Sequence, residues 1–324
     1  MILRTLRGLA MTAGPRVVVL GALPAAGIDL LRQRFVVEAG GGRPEQSWLH
    51  EHVPGAVAIV TDPSIRIDAE LLDVAGGSLK IVANFAVGYD NVDVEAVRER
   101  GVRATNTPDV LTNATAELAI TLMLAAARRI AEADALTRSG RWLAEEQLLG
   151  RELAGATVGL VGFGRIAGRV AELLRCFEVR LLFTARSEAP ARYGAERREL
   201  RDLLATSDFV SLHVPLTSET RHLIDAGRLA QMKRGAILVN TSRGAVVDTT
   251  ALIAALRSGQ LGAAGLDVYE DEPHVPQELR ELPNTVLLPH IGSATGTTRD
   301  AMAHLCAENV IAVIEGREPP TPVV

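Results

Sequence analysis

Aromatic residues make up only 3% of this 324-residue chain, as six Phe, three Tyr and two Trp. Its interior must therefore be assembled from Ala, Val, Leu and Ile. Cysteine is just as scarce. Cys176 and Cys306 both lie in amphipathic, helix-like stretches, and two buried thiols are expected there rather than a disulfide or a metal site. No long basic run accompanies the formal net charge of -5, which argues against a nucleic-acid partner. Long apolar runs are missing too. Residues 1–10 carry Arg4 and Arg7 but no apolar stretch of signal-peptide length. Residues 118–127 are apolar but far too few to span a bilayer. The expectation is a cytoplasmic protein without a membrane partner. Met11 stands just before the first strand signal, so residues 1–10 read as a loose extension or a misassigned start. No repeat of solenoid period occurs, and the Pro-rich stretch 319–322 is the one low-complexity segment.

What is present is ordinary for a globular protein, 48% hydrophobic and 23% charged, in a chain long enough for two domains. Short β-branched runs alternate with helix-period segments. Strands are expected at 16–21, 56–61 and 80–86, with helices at 25–34 and 92–100. A second series follows, with strands at 157–162, 179–184, 208–214, 236–241, 263–268 and 285–288. This alternation predicts an α/β protein with two doubly wound parallel sheets, a Rossmann cofactor domain and a smaller, flavodoxin-like substrate domain. Residues 112–140, started by Thr112 and ended by Gly140, read as one long helix apolar enough to be buried between domains or subunits. The last helical segment, 296–316, is expected to cross back to the first domain. The predicted division is 11–107 plus 296–324 for the substrate domain and 108–295 for the dinucleotide-binding domain.

The strand at 157–162 runs straight into Gly162-Phe163-Gly164-Arg165-Ile166-Ala167-Gly168, and a helix follows. Gly162 suits a tight turn, Gly164 allows backbone to approach a pyrophosphate, and the small Ala167 lets helix and strand pack closely. The helix N-terminus offers N–H groups and the positive end of its dipole. In NAD-specific sheets an acid ends the second strand and binds the ribose hydroxyl. Here that strand is followed by Ala185-Arg186-Ser187. Ala185 removes the repulsion a carboxylate would exert on a 2′-phosphate, Arg186 pairs with it, and Ser187 or Thr184 donates a hydrogen bond. NADP is therefore the expected cofactor, with NAD as the alternative.

Three later strand ends carry unusual polar residues: Asn240-Thr241-Ser242-Arg243-Gly244, Asp267-Val268-Tyr269-Glu270-Asp271-Glu272-Pro273 and Pro289-His290-Ile291-Gly292-Ser293. Ligands bind at such ends of an open parallel sheet. Reducing a carbonyl with hydride takes a cation to hold an oxo-acid, a proton donor, and a carboxylate to favour the charged donor. Arg243, His290 and one of Glu270, Asp271 or Glu272 fill those roles. His213, also at a strand end, shows that such a His need not be catalytic.

On these motifs the chain, from about Arg16 onward, resembles the D-isomer-specific 2-hydroxyacid dehydrogenase family. The resemblance implies that Arg243 binds substrate, that Glu272, directly before Pro273, pairs with the His, and that His290 is the acid/base. It widens the cofactor-contacting set beyond Gly162, Phe163, Gly164, Arg165, Ile166, Ala185, Arg186 and Ser187. The additions are Thr112, Val214, Pro215, Thr220, Thr241, Ser242, Arg243, Asp267, His290 and Gly292. Within the family the glyoxylate/hydroxypyruvate reductases look most similar, through Asn84-Phe85-Ala86-Val87-Gly88-Tyr89-Asp90-Asn91, Asn106–Thr112 and the tail Pro319-Pro320-Thr321. That implies a small 2-oxo acid as partner, its carboxylate held by the backbone N–H groups of Val87 and Gly88, and a homodimer through the cofactor domains. Asp62-Pro63 departs from the pattern, and an acid there bears on substrate choice. The rival readings are dehydrogenases for phosphoglycerate, phosphite (typically with Lys where Val87 stands) or another D-2-hydroxy acid. A dinucleotide-sensing corepressor on the same fold is the rival from another class.

Overall fold

The structure is a computed structural model, and it describes residues 14–42, 44–142, 148–186 and 190–324. The proposed extension at residues 1–10 lies outside the described residues. Contacts divide the chain into two compact units, one running up to Val110 and resuming at Gly296–Val324, the other Leu111–Thr295.

The first unit alternates strand and helix: β1 (Arg16–Val19), α1 (Ala25–Arg32), β2 (Val36–Ala39), α2 (Gln46–His52), β3 (Ala58–Thr61), α3 (Ala69–Ala75), β4 (Ile81–Asn84), α4 (Val94–Glu99) and β5 (Arg103–Thr105). The strands are parallel in the order β2-β1-β3-β4-β5, the flavodoxin-like arrangement. β3 and β4 are buried on both faces, which is why they read as continuous apolar runs. Asp68 and Asp93 start α3 and α4 by accepting from the N–H groups of Leu71 and Ala96. Such caps typically stabilise a helix by ~1 kcal/mol. In-register pairing of Thr61 with Asn84 sets the loops after β3 and β4 side by side.

The second unit opens with α5 (Thr112–Ala127) and α6 (Ile130–Arg138) and continues β6 (Thr157–Val161), α7 (Arg165–Leu174), β7 (Arg180–Thr184), β8 (Glu196–Arg197), α8 (Leu200–Thr206), β9 (Phe209–Leu212), α9 (Ala226–Gln231), β10 (Ala236–Asn240), α10 (Thr249–Arg257), β11 (Leu261–Leu266), α11 (Gln277–Arg280) and β12 (Thr285–Leu287). Its seven parallel strands run β12-β11-β10-β9-β6-β7-β8. This is the Rossmann order with one strand added, and its switch point lies between β6 and β9. Six strands were expected; β8, two exposed residues, is too short and polar to leave a sequence signal.

The long helix expected over 112–140 is two helices. Arg129 sits at φ 53, and the last carbonyl of α5, Ala127, accepts from Arg151 N–H at 2.9 Å. A chain segment returning from farther along thus caps α5. Arg129 then holds Glu132 through two hydrogen bonds. α5 owes its apolar composition to packing inside its own unit, against α7, β10 and β11. The approach is tightest at Gly265, where an added Cβ would stand 2.9 Å from Leu122 Cβ.

The chain ends with α12 (Gly296–Ile314), which packs on α1 and β4 of the first unit. Pro322 bridges antiparallel to Thr105, and Val323 and Val324 pair with Ala104, so the Pro-rich tail lies along β5. Cys306 on α12 is buried, and burial pushes its thiol up to about 12. Cys176 corrects the expectation of two buried thiols. It is exposed, because α7 ends at Leu174 and a short 3-10 turn carries Cys176 away from the core.

Candidate active site

The turn after β6 carries the first part of the site. Gly162 sits at φ 89, and a Cβ there would stand 2.7 Å from the His213 carbonyl oxygen, so no other residue fits. Gly164 is the residue before α7, and a Cβ there would meet no protein atom within 4 Å. The space above the first turn of α7 is therefore open, and no acid in that turn offsets the positive end of the helix. Ala167 is 1% exposed and lets α7 lie close on the sheet, while Phe163 turns back to stack on Phe183 with centroids 4.1 Å apart. On the next strands, Leu212 pairs with Val161 and with Asn240, so Gly162, His213 and Thr241 form a row of strand ends. His213 Nε2 and Thr241 Oγ1 are buried there without a hydrogen-bond partner among the described residues. Burial drives the His213 imidazole down to about 4, so it is neutral. An open helix N-terminus and orphaned polar atoms along the switch point fit a dinucleotide.

At the end of β7, the Ala185 carbonyl accepts from Arg197 Nη2 at 2.8 Å, and the exposed Arg186 pairs with Glu219 at 2.8 Å. Ser187 lies outside the described residues. Val214 packs beside Gly162. The Thr220 hydroxyl donates to the Pro215 carbonyl at 2.6 Å and accepts from Thr217 N–H, closing its own turn. Thr112 is the first residue of α5, and Arg165 and Ile166 open α7.

The polar strand ends of β10, β11 and β12 come together. His290 Nδ1 is 2.7 Å from Glu272 Oε2. The other two acids of that loop are elsewhere: Glu270 binds His222 at 2.6 Å and Thr249 at 3.1 Å, and Asp271 is exposed. Burial alone would raise the Glu272 carboxyl. The hydrogen bonds from His290 and Tyr269 N–H and the positive charges of His290 and Arg243 outweigh it and hold the group below the usual carboxylate range. With Glu272 ionised, Nδ1 carries the proton it shares, which leaves Nε2 to face a reacting atom. Arg243 is half-buried directly before a 3-10 turn at Gly244–Val246, and its Nη1 donates to the Ser242 carbonyl.

Several contacts that build this geometry escape a reading of the sequence. Asn240, 1% exposed, accepts from Ser242 N–H and Oγ and donates to the Arg243 carbonyl, which shapes the turn carrying Arg243. Gly244 is required because any Cβ would collide with the Tyr269 backbone. Asp267, 1% exposed, accepts from Ile291 and Gly292 N–H at 2.7 Å each, fixing the turn that holds His290 at φ 56. Burial raises the Asp267 carboxyl, partly offset by those two N–H groups and by His290. Tyr269 donates to the Leu288 carbonyl at 2.9 Å, and burial lifts its hydroxyl to about 12. Polar residues clustered at a strand end are the signal that pointed to each region, without revealing these partners.

In the first unit the loop after β4 has its own order. The Val87 carbonyl accepts from Asn106 Nδ2 and the Gly88 carbonyl from Asn84 Nδ2, both at 2.8 Å. Among the described residues, nothing accepts from the N–H groups of Val87 and Gly88. Asp62 uses its carboxylate to cap a turn, accepting from Ala22 N–H, Ser64 N–H and Ser64 Oγ.

Among the described residues no His, Cys, Asp and Glu cluster is arranged to hold a metal, and no helix is long and apolar enough to cross a membrane. The sequence model for the D-isomer specific 2-hydroxyacid dehydrogenase NAD binding domain matches residues 120–292. A glyoxylate reductase of Thermococcus kodakarensis is 51% identical over 318 residues, covering 95% of both chains. One from Pyrococcus furiosus is 49% identical, over 95% of this chain and 94% of that one. Among solved structures, a protein of Thermus thermophilus superposes with a TM-score of 0.90 at 50% identity, covering 95% of this chain and 100% of the other. An NADPH-dependent glyoxylate/hydroxypyruvate reductase of Sinorhizobium meliloti, in complex with NADP and malonate, gives 0.88 at 36% identity, over 96% and 97% of the chains. The turn built for a dinucleotide and the Glu272–His290 pair thus lie in a chain that belongs to the D-isomer specific 2-hydroxyacid dehydrogenase family and is an NAD(P)-dependent dehydrogenase.

Proposed function

We propose that this dehydrogenase reduces a small 2-oxo acid, glyoxylate or hydroxypyruvate, and prefers NADPH. The reading rests most on the pairing of His290 with Glu272 beside Arg243, and it draws support from the roughly half-identical glyoxylate reductases. Bound at the turn Gly162–Gly168, in contact with the residues at the ends of β7, β9 and β10, the nicotinamide cofactor supplies the hydride. Arg243 holds and polarises the oxo-acid. His290, oriented by Glu272, gives the proton on Nε2 to the carbonyl oxygen. The carboxylate rests on the Val87 and Gly88 N–H groups, whose lack of partners suits an anion. Ala185 rather than an acid stands at the end of β7, the first acid being Glu188 farther on, and Arg186 is available to exchange Glu219 for a 2′-phosphate. We further place the protein in the cytoplasm and read it as a homodimer, since Ile130, Trp142 and Leu149 expose apolar surface at 54%, 81% and 75% along α6 and the segment after it.

A panel of 2-oxo acids assayed with both reduced cofactors tests this. Glyoxylate or hydroxypyruvate with NADPH should give the highest kcat/KM. A wild type that used NADH better would overturn the cofactor preference, and one that reduced neither acid would overturn the substrate. Ala185→Asp with Arg186→Ala should lose NADPH efficiency by one to two orders of magnitude, since each ~1.4 kcal/mol is tenfold.

A further inference from the structure

We propose that Thr321, in the tail after α12, is a positioning residue for the substrate. Through Asn106 it holds the peptide groups of Val87 and Gly88 in the conformation that receives a carboxylate. This rests on the reading that those two N–H groups form the carboxylate cradle. Asn309 on α12 is fully buried and gives both ends of its carboxamide to Thr321, donating to Oγ1 at 2.8 Å and accepting from its N–H at 3.1 Å. Because Thr321 Oγ1 accepts from Asn309, its single proton goes onward, to the Asn106 carbonyl at 2.6 Å. Asn106 N–H answers to the Thr321 carbonyl at 3.4 Å, and its Nδ2 grips the Val87 carbonyl at 2.8 Å. The neighbouring Gly88 carbonyl is held by Asn84, which accepts in turn from Asn91 at 3.3 Å. Both carbonyls of the cradle are thus tied back by carboxamides, and the main chain of one of these residues, Asn106, is held from the tail. Every donor in the Thr321 chain has one acceptor, so the hydroxyl cannot be removed without leaving buried groups of Asn309 and Asn106 unpaired. The tail itself does not depend on that hydroxyl for docking, since Val323 and Val324 pair with Ala104 through the main chain. A small displacement of a group that positions substrate is enough to weaken it.

The full-length protein and its Thr321→Val, Thr321→Ser and Asn106→Ala variants are compared for KM with glyoxylate, for NADPH dissociation constant and for melting temperature. Thr321→Val should raise KM by about three- to tenfold, the scale of one lost hydrogen bond, without moving the NADPH constant. Thr321→Ser, which keeps the hydroxyl, should restore it. Asn106→Ala should raise KM at least as far. If Asn106→Ala raises KM and Thr321→Val does not, the relay from the tail is wrong and the cradle stands. If neither moves KM, the cradle reading itself fails. A Thr321→Ser variant as impaired as Thr321→Val, or a KM change matched by an equal change in NADPH binding, would also overturn the relay.

Discussion

His290 and Glu272 show how much of this site is decided one residue at a time. Three acids stand within three positions of one another, and each is a chemically adequate partner for an imidazole. Only Glu272 reaches His290; Glu270 is bound two residues away to His222 and Thr249. The lowered Glu272 pKa has a defined sign. A carboxyl whose folded value lies below its unfolded value adds stability above the ordinary carboxylate range, and that contribution is lost as pH falls through the folded value. The melting temperature of Glu272→Gln should therefore fall short of wild type most at neutral pH, with the gap closing on acidification. Its reduction activity should drop by roughly tenfold or more, because the hydrogen bond that orients His290 loses its anionic acceptor. An unchanged melting profile together with an unchanged rate would show that Glu272 does not act on His290. The motifs made these residues legible as candidates. The resemblance named Glu272 as the partner of His290, but the turn contacts of Asp267 were not legible, since Asp267 and Ile291 are 24 residues apart in the chain.

At the level of elements, periodicity marked the central strands but missed the outer strands β2, β5 and β8, and it was a poor guide to helix ends. Continuous apolar runs marked β3, β4 and β10 because both of their faces are covered. The break between α5 and α6 carried no such mark: Arg128 and Arg129 are good helix formers, and the stop comes from Arg151 taking the Ala127 carbonyl. α5 also depends on a residue far from it. Gly265 in β11 leaves room for Leu122, so Gly265→Val must push helix from sheet. It should cost about 1–3 kcal/mol and lower the melting temperature by several degrees. A thermal melt coincident with wild type would show that the contact yields without strain.

For the whole molecule, two parallel sheets of five and seven strands follow from one alternating pattern used twice. Assembly is a different matter. The apolar residues of α5 are accounted for within the second unit, so they no longer argue for a subunit interface. The exposed Ile130, Trp142 and Leu149 do. Sedimentation at micromolar concentration should give about twice the 34.5 kDa of one chain; a single species at that mass would remove the dimer. The same experiment on Trp142→Ser should show a weaker dimer if that indole is buried by a second copy.

The amino-acid order by itself determined the fold class, the turn at Gly162–Gly168, and Ala185 in place of an acid at the end of β7. Each of these depends on neighbours within a few positions, on the two-residue period of a strand or on the φ that Gly alone tolerates. Tertiary structure alone decided where α5 stops, how Asn240 and Asp267 shape their turns, and that the tail reaches Asn106 across 215 residues. Those outcomes are hydrogen bonds between groups distant in the chain. Such partners exist only after the sheets have formed, because buried polar groups take whichever partner the packed backbone brings to them.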